Sequence, residues 1–352
     1  MISQKMKSRM TRYLPVRSAL LTLFTVGFLT GCQNPIYVLV GGVLKEYSEN
    51  EATPYVLQMD DFEMACAMGE SLHPLVYSFS RVVPAPDDTS SLLMLSAANC
   101  AESQAWEAEL SSLRAEYNGQ LVLAKDERER AKRLNALVAE RRLIVFNHAN
   151  SAYDYDPSDA DAECPRLIDD QDELTFMLGL LTGLQGITND ANSGMRAGIP
   201  RDIGSQAEKG MRCLNNEKWG GLPESVRALV WMLIPDTRPA DSMDPWLLLE
   251  KNSELGAKAG YRASGVVELM AADMLGKDEI FKDALQRFAE AGDTMTRSED
   301  YALVDETAFR LALFLSDKHW VSEYGYRTPE QYFGRLSTQT EDVDTMSLDG
   351  LL

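Results

Sequence analysis

Apolar residues recur every three to four positions along most of this chain, the spacing of one helix face turned towards a core. Between Asp60 and Ser80, Phe62, Ala65, Cys66, Gly69, Leu72, Val76 and Phe79 share one face, and Asp60 or Asp61 is placed to cap its start. Pro84-Ala-Pro86 reads as a turn, after which Asp88 or Thr89 caps a helix running to about residue 117. Its stripe passes through Ser96, Ala97, Ala98, Cys100 and Ala101, side chains small enough for a second helix to approach closely. Asn118-Gly119 lacks period-two flanks, so it predicts a helix break and not a hairpin between strands. The next helix, 120–150, carries Lys125 to Arg133 as mixed charges, which read as a solvated face with i,i+4 pairs.

Residues 151–171, with Asp154, Asp156, Asp159 and Asp161, form an acidic loop between two halves of the helical pattern. Helices are predicted beyond it at 172–191, 203–216, 223–234, 245–275, 278–290 and 299–316. Hardly any stretch alternates as a strand would. The pattern therefore predicts an all-α fold of antiparallel helix pairs, a tetratricopeptide-like solenoid or a bundle, over residues 58–336. Residues 337–352 read as an acidic, disordered tail.

The front of the chain has a different texture. Residues 1–17 carry Lys5, Lys7, Arg9, Arg12 and Arg17 with no acid, and an apolar run from Ser18 to Phe28 leads into Leu29-Thr30-Gly31-Cys32. A basic start, a short apolar stretch and a small-residue junction predict a secretory leader over 1–31. The Leu-Thr-Gly-Cys ending matches the bacterial lipobox, which makes Cys32 the expected lipidation site and first mature residue, with 32–57 as a tether. By resemblance to enterobacterial lipoproteins, Gln33 favours the outer membrane, the domain facing the periplasm. Acyl chains contribute about 0.8 kcal/mol per buried methylene, so lipid alone would hold the domain at a membrane.

This division changes the charge. The whole chain carries 34 basic and 54 acidic residues, net −20. The leader holds five of the bases and none of the acids, so 29 against 54 leaves −25 on the mature part. That balance excludes a nucleic-acid binder, whose affinity rests on Lys and Arg at phosphates. Secretion also changes the meaning of Cys66, Cys100, Cys164 and Cys213. Four cysteines in an oxidising compartment suggest two disulfides with three possible pairings, of which Cys66–Cys100 and Cys164–Cys213 close the shortest loops. Four buried thiols are the alternative.

Candidate chemistry is sparse. An EF-hand loop begun at Asp154 would need Gly at Asp159 and Glu at Pro165, so no metal site is expected there. Glu70 and His73 have di-iron spacing, but neither His148 nor His319 follows a Glu by three residues. No nucleophile elbow, phosphate loop or dinucleotide fingerprint occurs, so neither an enzyme nor a cofactor is expected. Trp219, Trp231 and Trp246 read either as packing at helix crossings or as the lining of an apolar ligand groove.

Three stretches, Phe62-Glu-Met-Ala-Cys-Ala-Met-Gly-Glu-Ser-Leu72 through Ser91 to Glu102, Glu127-Arg-Glu-Arg-Ala-Lys-Arg-Leu134, and Asp172 to Gly183, together with the lipobox, resemble the TatT family of TRAP transporter-associated lipoproteins. The likeness is one of order and texture, and the Gly-rich loop at 193–204 and the four cysteines depart from it. The resemblance implies a lipid-anchored helical repeat scaffold able to assemble as a homotrimer, which docks a periplasmic solute-binding protein and holds a small apolar ligand. A generic envelope assembly scaffold, selecting basic partners through its acidity, is the alternative; an enzyme on a helical fold ranks behind both.

Overall fold

A computed structural model describes residues 35–159 and 161–338. The leader, Cys32 and the tail from residue 339 lie outside the described residues. The protein is all-α, and no strand occurs among the described residues.

The longest elements are α4 (Asp87–Tyr117) and α5 (Leu121–Ala152), a helical hairpin turned by Asn118, Gly119 and Gln120. At 31 and 32 residues each spans roughly 45–50 Å at 1.5 Å per residue. Gly119 takes φ +69°, a conformation open to Gly at little cost, and ends the first helix where the sequence predicts. The two helices meet through small side chains: Ala97, Ala101, Ala105 and Ala108 on α4, and Ala124, Ala131, Val138 and Val145 on α5, are all buried. Two hydroxyls bridge the pair near its ends, Ser112 donating to the Ala124 carbonyl at 2.9 Å and Ser91 to that of Val145 at 3.3 Å.

The preceding helices are α1 (Pro35–Tyr47), α2 (Thr53–Leu57) and α3 (Phe62–Ser78), with one π-helical turn at Ser48–Ala52 between the first two. The stretch read as a tether is thus mostly helical. Asp61 caps α3 through the Met64 N–H at 2.9 Å, and Cys66 is bonded to Cys100 of α4, Cα atoms 5.2 Å apart. Gly69 sits where α3 meets α4: a Cβ there would lie 2.6 Å from both the Leu93 carbonyl oxygen and the Ala97 nitrogen.

After α5 come α6 (Asp170–Ser193), α7 (Ile203–Met211), α8 (Leu222–Leu233), α9 (Pro245–Ala259), α10 (Ala263–Met274), α11 (Asp278–Thr294) and α12 (Ala302–Tyr324). Successive helices mostly pack on their neighbours, and α12 returns against α4. Ala139 and Phe146 of α5 share one hydrophobic cluster with Phe176, Leu229 and Val267 from beyond the acidic loop, so the two halves have a common core.

The acidic loop itself is fastened to the fold. Tyr155 is buried with its ring centroid 5.3 Å from that of Phe176, and Cys164 is bonded to Cys213 just after α7. One expectation is corrected. The single helix from Pro245 to Leu275 is two helices, broken at Gly260 with φ +83°. A Cβ there would lie 2.6 Å from the Thr296 carbonyl oxygen, and the Gly260 carbonyl accepts from Ser298 N at 2.9 Å. Asp305 holds the break by accepting from the backbone N–H, Nε and Nη2 of Arg262, each at 2.9 Å. The last helix also runs to Tyr324, beyond the expected end at 316.

Candidate functional site

Polar residues interrupt the small-residue seam of α5 at helical spacing. Asn135 and Arg142 stand seven apart, both buried, on the face turned towards α4 and α6. Arg142 is 3% exposed. Its Nη2 lies 2.5 Å from Glu102 Oε2 of α4, and its Nη1 donates to Asn189 Oδ1 of α6 at 2.8 Å. The Asn189 amide in turn donates to Asn135 Oδ1 at 2.9 Å and to Glu102 Oε1 at 3.3 Å. Three helices are therefore tied by one buried network. Burial pulls the Arg142 guanidinium below its ordinary range, and the Glu102 charge opposes that shift. Arg142 Nε is buried without an acceptor.

This network forms part of the wall shared by two cavities. One, about 120 Å³, is lined chiefly by apolar side chains, among them Val56, Leu57, Leu92, Leu181 and Val304. The other, about 600 Å³, is lined by Asn135, Asn189, Asn192, Glu109, Asp273 and Lys318 together with Met270 and Phe314. Glu102, Trp106, Arg142, Gln185 and Leu311 line both. Trp106 stacks on Phe314 with centroids 4.8 Å apart. In the larger cavity Lys318 pairs with Asp273 at 2.9 Å, and burial raises the Glu109 carboxyl above its usual range. The site offers an apolar pocket, a polar chamber, and a guanidinium at their junction whose charge Glu102 balances.

No family model, curated protein or solved structure matches the chain.

The tryptophans singled out from the sequence line neither of these two cavities and pack at helix crossings, the first of the two readings their spacing offered. Trp219 is 1% exposed and donates to Glu173 at 2.6 Å; Trp231 is 4% exposed and donates to Glu208 at 3.0 Å. Trp246 is half-buried between two core clusters. None of the three lines either cavity; the tryptophan that does is Trp106. Sequence reasoning missed Arg142 because α5 is charged along much of its length. The available signal was its place on the stripe of Val138, Val145 and Ala149, where a charge must find a partner.

The histidines are also placed. His73 and His148 face each other with centroids 6.0 Å apart, and burial lowers His73 to about 4. Asp87 accepts from Ser151 Oγ at 2.8 Å and meets His148 Nδ1 at 2.8 Å, so serine and imidazole both address the carboxylate, not each other. His319 stacks on Phe281, and Glu70 pairs with Arg141 at 2.9 Å. No cluster of three or more candidate metal ligands occurs among the described residues. The Gly-rich loop after α6 encloses Asp190, whose carboxylate accepts from the N–H groups of Ala197, Gly198 and Ile199 at 2.8–3.2 Å.

Proposed function

We propose that this protein is a lipid-anchored helical scaffold of the outer membrane, facing the periplasm. In this reading it is an accessory component of a TRAP-type transport system that docks a solute-binding protein and holds a small ligand in its paired cavities. The lipobox and the resemblance support the anchor and the partner. The observation that carries ligand holding is the Arg142–Glu102 pair, which lines both an apolar and a polar chamber at their junction.

The chemistry of that junction favours a ligand with an apolar body and a neutral acceptor, such as a hydroxyl or carbonyl oxygen. Glu102 already neutralises the guanidinium, so a carboxylate would meet a second carboxylate at close range. Titration calorimetry with 1-octanol, octane and octanoate tests this: the alcohol binds most tightly, and tightest binding by octanoate or no binding by any probe overturns it. The docking half is tested by cross-linking in intact envelopes, where a periplasmic solute-binding protein is captured. Isolation of the chain alone from every cross-linked envelope refutes that half.

A further inference from the structure

Helix α1 is built unlike the rest of the fold. From Cys32 to Leu44 the sequence contains no charged residue; Lys45 is the first. Ile36, Tyr37, Leu39, Val40 and Val43 are 47–68% exposed, a density of bare apolar side chains on one short helix that water does not favour. Gly41 is its point of close approach to the body, where an added Cβ would lie 2.9 Å from Phe79 and 3.2 Å from Val83. At 13 residues the helix is about 20 Å long, too short for a hydrocarbon core of about 30 Å. No helix among the described residues is long and apolar enough to cross a membrane.

We propose that α1 is a second membrane anchor, lying in the periplasmic leaflet with Ile36, Tyr37, Leu39, Val40 and Val43 among the acyl chains. The proposal rests on the reading of Cys32 as lipidated, and chain length then decides the occupant. Two residues, Gln33 and Asn34, separate Cys32 from Pro35, three Cα–Cα steps with a reach of at most about 11 Å, so acyl chains inserted at Cys32 bring the start of α1 to the bilayer surface. Apolar side chains held there partition into the interface, and Tyr37 and Tyr47 are of the type that accumulates at the boundary. The mature chain carries −25, so its attraction to a bilayer is not electrostatic; insertion tolerates salt and needs no anionic lipid. The segment continues into α2, whose Val56 and Leu57 wall the apolar cavity.

The test uses the full chain, processed in cells and reconstituted into phosphatidylcholine vesicles, with an environment-sensitive fluorophore on Leu39→Cys. Disulfides occupy the four other mature cysteines after Cys32, so the label is specific. The expected result is blue-shifted emission, quenched severalfold by phosphatidylcholine brominated in its acyl chains and unchanged at high salt. The same label on Val122→Cys, 87% exposed on the α4–α5 hairpin, serves as the reference and stays unquenched. Water-like, unquenched emission from position 39 on vesicle-bound, acylated chain overturns the proposal. Shielding without quenching, accompanied by a dimer or trimer mass, also overturns it and assigns the face to a second copy. Mass spectrometry of Cys32 separates the two readings: quenching at position 39 on a chain without acyl groups refutes the lipid anchor and leaves the helix anchor standing.

Discussion

Arg142 of α5 and Glu102 of α4 meet at 2.5 Å in the wall common to two cavities, both almost wholly removed from water. Two opposite charges held there are costly to desolvate and costlier still to separate. Arg142→Met strands the Glu102 carboxylate with only the Asn189 amide and is expected to lower stability by about 3–5 kcal/mol, whereas replacing both charges by Met costs far less. Urea unfolding of the two single variants and the double variant measures the coupling. A single-variant loss no greater than that of the double removes the pair from its structural role.

Asp190 organises the loop between α6 and α7. Its three backbone donors would lose their shared acceptor in Asp190→Ala, a loss of about 2–4 kcal/mol, while the Ser193 hydroxyl keeps the Asp190 carbonyl at 2.7 Å. Hydrogen exchange at Ala197, Gly198 and Ile199 should accelerate in that variant more than at the α4–α5 interface. Equal acceleration everywhere would mean that the carboxylate supports global stability and not this loop.

Cys164–Cys213 spans 49 residues and pins the acidic loop beside α7. Removing it through the paired change to Ser should destabilise the protein by about 2–4 kcal/mol. Trypsin cleavage after the exposed Arg166 should become faster at the same time. Unchanged cleavage would show that Tyr155 and its neighbours hold the loop without the bond.

Two buried groups act in opposite senses with pH. Burial raises Glu268 from its usual 4.5 to about 7 despite its pairing with Arg287, while Glu250 and Asp283 push it the same way. The folded protein therefore keeps a proton that the unfolded chain has released, and this stabilisation, complete below 4.5, is lost as pH rises through 7. Burial lowers His73 from 6.5 to about 4, with His148 and Arg141 adding to the shift. Its contribution is complete above 6.5 and is lost as pH falls through 4. The native protein should thus lose stability relative to Glu268→Gln between pH 4.5 and 7 on the way up, and relative to His73→Phe between 6.5 and 4 on the way down. Urea midpoints across that range check both signs.

Local physics made several features legible in the sequence. The Asp61 cap, the Gly119 break and the helical periods of α3 to α6 depend on residues within a few positions of one another, as does the lipobox pattern. The break at Gly260 was not legible, because the apolar spacing continues across it and its cause, Asp305, lies 43 residues beyond Arg262. The packing of the tryptophans was one of two readings of the sequence, but their partners were hidden for the same reason: Trp219 and Trp231 are held in the core by carboxylates 46 and 23 residues away.

The sequence by itself determined that this chain is helical, where most of its helices begin, and that its acidity lies entirely beyond residue 31. Periodicity, capping and charge are properties of neighbouring residues, and short-range forces act on them directly. Only the tertiary structure decided that the charged helix α5 carries a buried arginine, that Trp106 and not the later tryptophans lines the cavities, and that α1 is left bare. Each depends on which helix lies opposite, and a buried guanidinium or an uncovered apolar face becomes apparent only when the neighbours around it have been placed.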